Sequence, residues 1–184
     1  METTKGLKTP KAGDYSLFYK EYIELASGRD LKALSDKQES FIKNLYENLT
    51  QDQALLSYRN GKWSFNELLG HIIDTEKLMH FRALCISRGE TNNLPGFDQE
   101  VYVANADFNA ISPKRLLETF MLHRSLLWHF IEEIPLSKGE NIGSVSSKPM
   151  SLAALIYIIF GHLEYHLKLI RKDYLPLVGM NFPL

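Results

Sequence analysis

The segment that most constrains this chain runs from Ser151 to His166. It begins Ser-Leu-Ala-Ala-Leu-Ile-Tyr-Ile-Ile-Phe and continues Gly161-His162-Leu163-Glu164-Tyr165-His166. Its first part is apolar nearly all round, and a helix of that kind has to be central, with other helices packed about it. His162 and His166 are four residues apart, so a helix points both imidazoles the same way, one turn apart. Two imidazoles stacked like that can bind one transition metal. Buried without partners, each would cost about 1–3 kcal/mol. Spacing alone is only a moderate signal, because six histidines in 184 residues give such a pair by chance in about one chain in five. A third ligand from another element is what separates a metal site from two satisfied core histidines.

The rest of the chain supplies the surrounding helices. Residues 1–13 are polar, contain Pro10 and Gly13, and read as a flexible N-terminal arm; residues 14–184 read as one domain. Tyr15, Phe18, Tyr19, Tyr22, Ile23 and Leu25 suggest a short aromatic helix ended by Ser27-Gly28. Asp30 is the expected cap of the first long helix, whose apolar face is Leu31, Leu34, Phe41, Ile42, Leu45 and Leu49. Ser64 and Glu67 form a capping box that opens the second, from about Phe65 to Ser87, and Gly89 stops it. Ser112-Pro113 opens the third, which ends before Pro135. The fourth spans about Met150 to Tyr174. Residues 90–111 and 136–149 read as long irregular connectors, and no segment shows sustained strand alternation. The expectation is an all-α four-helix bundle with a short extra N-terminal helix and long connectors.

His71 is the candidate third ligand. It flanks the apolar face of the second helix, and Gly70 precedes it as Gly161 precedes His162. Each glycine costs its helix about 0.5–1 kcal/mol relative to alanine, which makes sense if the two helices come close there. The alternative is two close-packing glycines beside unrelated histidines. Three neutral imidazoles suit zinc, nickel, iron or copper and leave a coordination position open. Asp74, one turn from His71, could be a fourth ligand or orient one, or could simply be solvated. Tyr165 adjoins His166 and is three residues from His162, so its phenol could reach the site, although packing is its plainer role. His80 faces the other side of its helix, and His123 and His129 cannot share a metal from a straight helix. Cys85 is 14 residues from His71, about 21 Å along a helix, and is no ligand.

Composition removes several function classes. A net charge of −1 with no basic block argues against nucleic acid as a partner. The apolar run around 152–160 is short for a bilayer, so no membrane partner is expected. A lone cysteine and an N-terminus without a signal-like core suggest a cytoplasmic protein.

The sequence also resembles a known family. The resemblance rests on Lys62-Trp63-Ser64 opening a helix, Gly70-His71 with Glu76 five residues on, Phe81-Arg82, Leu94-Pro95-Gly96-Phe97-Asp98, and Gly161-His162 with His166 and Ile170. Tyr-x-x-Tyr-Ile-x-Leu at residues 19–25 adds to it. Together these motifs, covering most of residues 15–175, resemble the DinB/YfiT-like superfamily of metalloenzymes and its DinB_2 branch. That resemblance implies a four-helix bundle with a three-histidine site for nickel, zinc or a similar ion, placed by position at His71, His162 and His166. Many relatives carry a histidine where this chain has Tyr165. Relatives include transferases using low-molecular-weight thiols such as bacillithiol or mycothiol. The expected function is therefore a metal-dependent thiol S-transferase acting on a small-molecule substrate, with Asp98 and Asp74 handling protons or binding the cofactor's amine. A metal-dependent hydrolase and a non-catalytic metal-binding stress protein are the alternatives. A homodimer is common in such bundles, and the aromatic N-terminal helix could support one.

Overall fold

The computed structural model describes residues 7–180. In chain order the helices are α1 (Lys20–Ala26), α2 (Leu31–Asn48), α3 (Gln51–Ala54), α4 (Phe65–Ser87), α5 (Gln99–Ala106), α6 (Pro113–Glu133), α7 (Leu152–Leu169) and α8 (Leu175–Val178). The long ones, α2, α4, α6 and α7, make the bundle. α2 and α4 each pack against both α6 and α7, while α1 lies along α7. α7 is thus the central helix that its all-round apolar sequence requires, and Leu152 to Leu163 are all buried. By length and composition the continuous helical stretch Leu152–Val178 could cross a membrane, but 78% of its most apolar window is buried inside the fold.

The helix starts follow the local chemistry. The Asp30 carboxylate accepts from Ala33 N at 3.0 Å. Ser64 Oγ accepts from Glu67 N at 3.1 Å while Glu67 Oε2 accepts from Ser64 N at 2.7 Å. Ser112 accepts from Arg115 N and Ser151 from Ala154 N. Each contact satisfies a backbone donor that the first turn leaves free.

The connectors are more ordered than expected. Residues 90–111 hold the strand β1 (Asn93–Leu94), then α5 and a 3-10 turn at Phe108–Ala110. Residues 136–149 begin with a 3-10 turn, Leu136–Glu140, and then form most of a hairpin, β2 (Ile142–Val145) and β3 (Lys148–Ser151). β1 joins β2 in parallel, with Asn93 opposite Ser144. These strands have two to four residues each, too few to show an alternation. The hairpin turn places Ser146 and Ser147 at φ +50° and +59°, a conformation that sequence signals through Gly or Asn rather than Ser. Strand β3 takes Met150 and Ser151, so α7 starts at Leu152 rather than Met150.

Of the expected N-terminal arm, residues 1–6 lie outside the described residues. Residues 7–13 lie against the body: Pro10 is buried, Leu7 packs on the core and Lys8 pairs with Glu140 at 2.6 Å.

Two apolar clusters fill the bundle. One gathers Ile23, Leu34, Met79, Leu127 and Leu155 to Phe160. The other gathers Ile42, Leu45, Leu68, Ile72, Phe120, Leu163 and Leu167. Between them, at one level of every long helix, lie buried polar groups: Ser35 and Gln38 on α2, Glu76 on α4, Arg124 on α6 and His162 on α7. Arg124 grips Glu76 with two hydrogen bonds, from Nε to Oε2 at 2.9 Å and from Nη2 to Oε1, and donates through Nη1 to Ser35 Oγ at 3.2 Å. Gln38 Nε2 donates to the Phe160 carbonyl at 2.8 Å. These bonds tie the four helices together at the level of His162 and fix the rotation of α7.

Candidate metal centre

His71 sits in the second turn of α4, and His162 and His166 sit on α7. His71 Nε2 lies 3.1 Å from His162 Nε2, which lies 3.0 Å from His166 Nε2. One ligand nitrogen from each ring falls within 4.8 Å of the others. Helix spacing brings the α7 pair together, and the packing of α4 on α7 adds the third.

Burial keeps these rings uncharged. It lowers the pKa of His71 to about 4. His166 falls to about 3, through burial first and then the neighbouring His71. His162 drops well below its ordinary value through burial, with His166, His71 and Arg124 adding to the effect. A neutral imidazole has one N–H and one lone pair. The Nδ1 atoms of His162 and His166 are buried without a hydrogen-bond partner among the described residues. With the protons on Nδ1, all three Nε2 lone pairs meet at one centre. Nitrogen–metal bonds of 2.0–2.1 Å place the nitrogens of a tetrahedral site about 3.3 Å apart, close to the 3.1 and 3.0 Å that separate His162 Nε2 from those of His71 and His166. The donor set fits a borderline divalent ion.

Aromatic rings hold the imidazoles. Trp63 packs on His71 at 4.6 Å between centroids, Tyr22 stands edge-on to His162 at 5.3 Å, and Tyr165 stands edge-on to His166 at 5.3 Å. The sequence suggested that the two glycines bring α4 and α7 close to each other, but each admits a different element. A Cβ on Gly161 would fall 1.8 Å from the Tyr22 carbonyl oxygen, so this glycine admits α1. A Cβ on Gly70 would fall 2.4 Å from the Phe108 ring, so it admits the 3-10 turn after α5.

A cavity of about 430 Å³ opens over His71 and His162. Asp98 stands exposed on its rim, where its carboxylate also caps α5 by accepting from Glu100 N at 2.9 Å and Val101 N at 3.3 Å. A second cavity of about 250 Å³ reaches His166 and Tyr165, and Tyr22, Gln99 and Glu100 border both. The structure does not bring Asp74 to the cluster: its carboxylate pairs with Lys77 at 3.5 Å, and it borders neither cavity. Sequence reasoning missed Tyr22, Thr75 and Arg82, all of which line the larger cavity. Thr75, Met79 and Arg82 follow His71 at steps of four, four and three, a helical stripe that was open to detection.

Comparison with known proteins agrees with this geometry. Residues 36–170 match the model of the DinB superfamily. A 62-residue stretch is 31% identical to a protein of Oceanobacillus iheyensis named "Putative metal-dependent hydrolase OB0413", and covers 34% of this chain and 36% of that relative. The fold is similar to a solved structure described as "YfiT from Bacillus subtilis is a probable metal-dependent hydrolase with an unusual four-helix bundle topology". That likeness has a TM-score of 0.72 at 14% identity, over 98% of this chain and 100% of the other.

Proposed function

The chain belongs to the DinB superfamily, and from that premise we propose that it is a metal-dependent hydrolase acting through His71, His162 and His166. The supporting observation is the convergence of three uncharged Nε2 atoms beneath a cavity large enough for a small organic molecule. Both relatives described above carry hydrolase in their names. A divalent ion such as zinc or nickel, when bound, supplies Lewis acidity that lowers the pKa of water or a thiol. The chain's own residues do the rest. Burial keeps the imidazoles deprotonated at neutral pH, and Trp63, Tyr22 and Tyr165 limit access of bulk water. The Asp98 carboxylate on the rim accepts a proton or binds a substrate amine, and the Tyr165 phenol beside His166 offers a second proton site. Cys85 is not among the residues lining either cavity, so no protein thiol is needed.

Thiol S-transfer is the second reading, favoured by one observation: two cavities reach different members of the histidine cluster, one at His71 and His162 and the other at His166. A thiol cofactor and an electrophilic substrate can approach separately. One experiment separates the two. Zinc- and nickel-loaded protein is assayed on 4-nitrophenyl acetate alone, and on monochlorobimane with bacillithiol. Turnover of the ester that His166→Ala abolishes supports the hydrolase. Bimane conjugation without ester turnover supports the transferase. Rates matching those of His166→Ala in both assays reject a metal-dependent enzyme.

A further inference from the structure

We propose that the cavity over the histidines accepts a substrate bearing a carboxylate, that Arg82 binds this group, and that the assignment deepens the metal-site reading on which it rests. Arg82 is only 3% exposed, yet it makes no ion pair among the described residues. Its Nη2 donates to the Pro95 carbonyl at 2.7 Å, and its Nη1 approaches Met79 Sδ at 3.4 Å. The Phe97 ring lies 5.6 Å from the guanidinium carbon. Tyr19, which also lines the cavity, hydrogen-bonds the guanidinium as well. A guanidinium has five N–H donors, so some still stay available, and none of these neutral partners balances its charge. A buried cation with no counter-ion is costly, and the same bundle shows how that cost is ordinarily met. Arg124, fully buried, is neutralised by both oxygens of Glu76. Nothing comparable faces Arg82. Its missing partner is a ligand, because Arg82 lines the cavity that also contains His71 and His162.

The spacing on α4 gives the ligand its direction. His71, Thr75, Met79 and Arg82 form one stripe, and all four line the cavity. Eleven residues of helix separate His71 from Arg82, a rise of about 16 Å, and a long helical side chain leans back toward the N-terminus, which shortens the gap. Thr75 lies between them, and its Oγ1 is buried with no partner among the described residues. Substrate therefore extends from the histidines, past a free hydroxyl, to a guanidinium. Charge selects the anion. Asp98 and Glu100 on the rim oppose a dianion such as a phosphomonoester, whereas a carboxylate carries one charge and matches the planar guanidinium fork.

Calorimetry on the zinc-loaded full chain tests this with 4-phenylbutyrate, its uncharged amide 4-phenylbutyramide, and phenyl phosphate. The acid should bind at least 10-fold more tightly than the amide and the phosphate. Arg82→Gln should weaken acid binding by about 10- to 100-fold, leave the amide unaffected and retain zinc. Equal affinity of the wild type and Arg82→Gln for the acid, as expected of a carboxylate that merely ligates zinc, overturns the assignment; so does tighter binding of phenyl phosphate. If Arg82→Gln does not fold, the zinc-free wild type decides. A preference for acid over amide that survives zinc removal supports Arg82, and one that vanishes with zinc overturns it. Failure of the wild type to take up zinc at all would reject the metal reading, while the acid-against-amide comparison would still judge Arg82.

Discussion

Replacing Gly161 with alanine tests how α1 is seated on the ligand helix. Helix propensity alone favours the change by about 1 kcal/mol. The structure opposes it: the new Cβ would lie 1.8 Å from the Tyr22 carbonyl oxygen, 2.5 Å from its carbon and 3.0 Å from its Cα. These are backbone atoms, so no rotamer change relieves the clash. To restore a tolerable contact, α1 must retreat by about 1.2 Å in a close-packed interior. Overpacking of this kind costs about 1–3 kcal/mol, and a backbone collision belongs at the upper end. The net loss is about 2 kcal/mol, or a fall in Tm of about 4–8 °C for a chain of this size. Thermal melts followed by circular dichroism measure it. Because Tyr22 packs against His162, zinc affinity should weaken in the same variant. Gly70→Ala should cost less, since the Phe108 ring it meets is a side chain that can turn. A Gly161→Ala protein at least as stable as wild type would refute the close approach of α1 to α7.

Other outcomes follow from the same contacts. Zinc at about 100 times its Kd should stabilise the fold by about 2.7 kcal/mol, raising Tm by about 5–10 °C in differential scanning calorimetry, and His162→Ala should abolish the rise. The zinc-free protein should lose stability on acidification. Folded His71 and His166 titrate near 4 and 3, whereas the unfolded chain takes up protons near 6.5. The loss therefore begins as pH falls below about 6.5 and continues to about 3, with His71 alone contributing about 3 kcal/mol. Urea midpoints between pH 7.5 and 4 would show it, and a flat profile would contradict it. Glu76→Ala leaves Arg124 buried and unpaired and should cost about 3–5 kcal/mol in urea unfolding, whereas Glu76→Ala with Arg124→Met should recover most of that loss.

Much of this structure was legible because it is local. A cap such as Ser64 with Glu67 lies within one turn of chain, so the start of α4 could be read to the residue. The i,i+4 geometry of His162 and His166 is equally local. His71 was legible through the poverty of alternatives and through the family's motif order. What escaped depends on distant partners. Gly70 and Gly161 were rightly seen as close-approach positions, but Phe108 and Tyr22, which approach them, lie far away in sequence. Arg82 entered only with Phe81 as one of the motifs of the family resemblance and was given no role, because sequence cannot show that a buried arginine lacks a counter-ion. The hairpin of β2 and β3 escaped because Ser146-Ser147 takes a left-handed turn that serine does not advertise. Asp74 was singled out for its spacing from His71, yet Lys77, three residues on, holds its carboxylate.

The most direct measurement is elemental analysis of the full chain purified without metal-affinity chromatography, beside His71→Ala and His166→Ala. Convergence of the three Nε2 atoms predicts about one divalent transition-metal ion per chain in the wild type and near zero in both variants. A wild-type protein that remains metal-free after incubation with zinc and with nickel, or variants that retain a full equivalent, would contradict it.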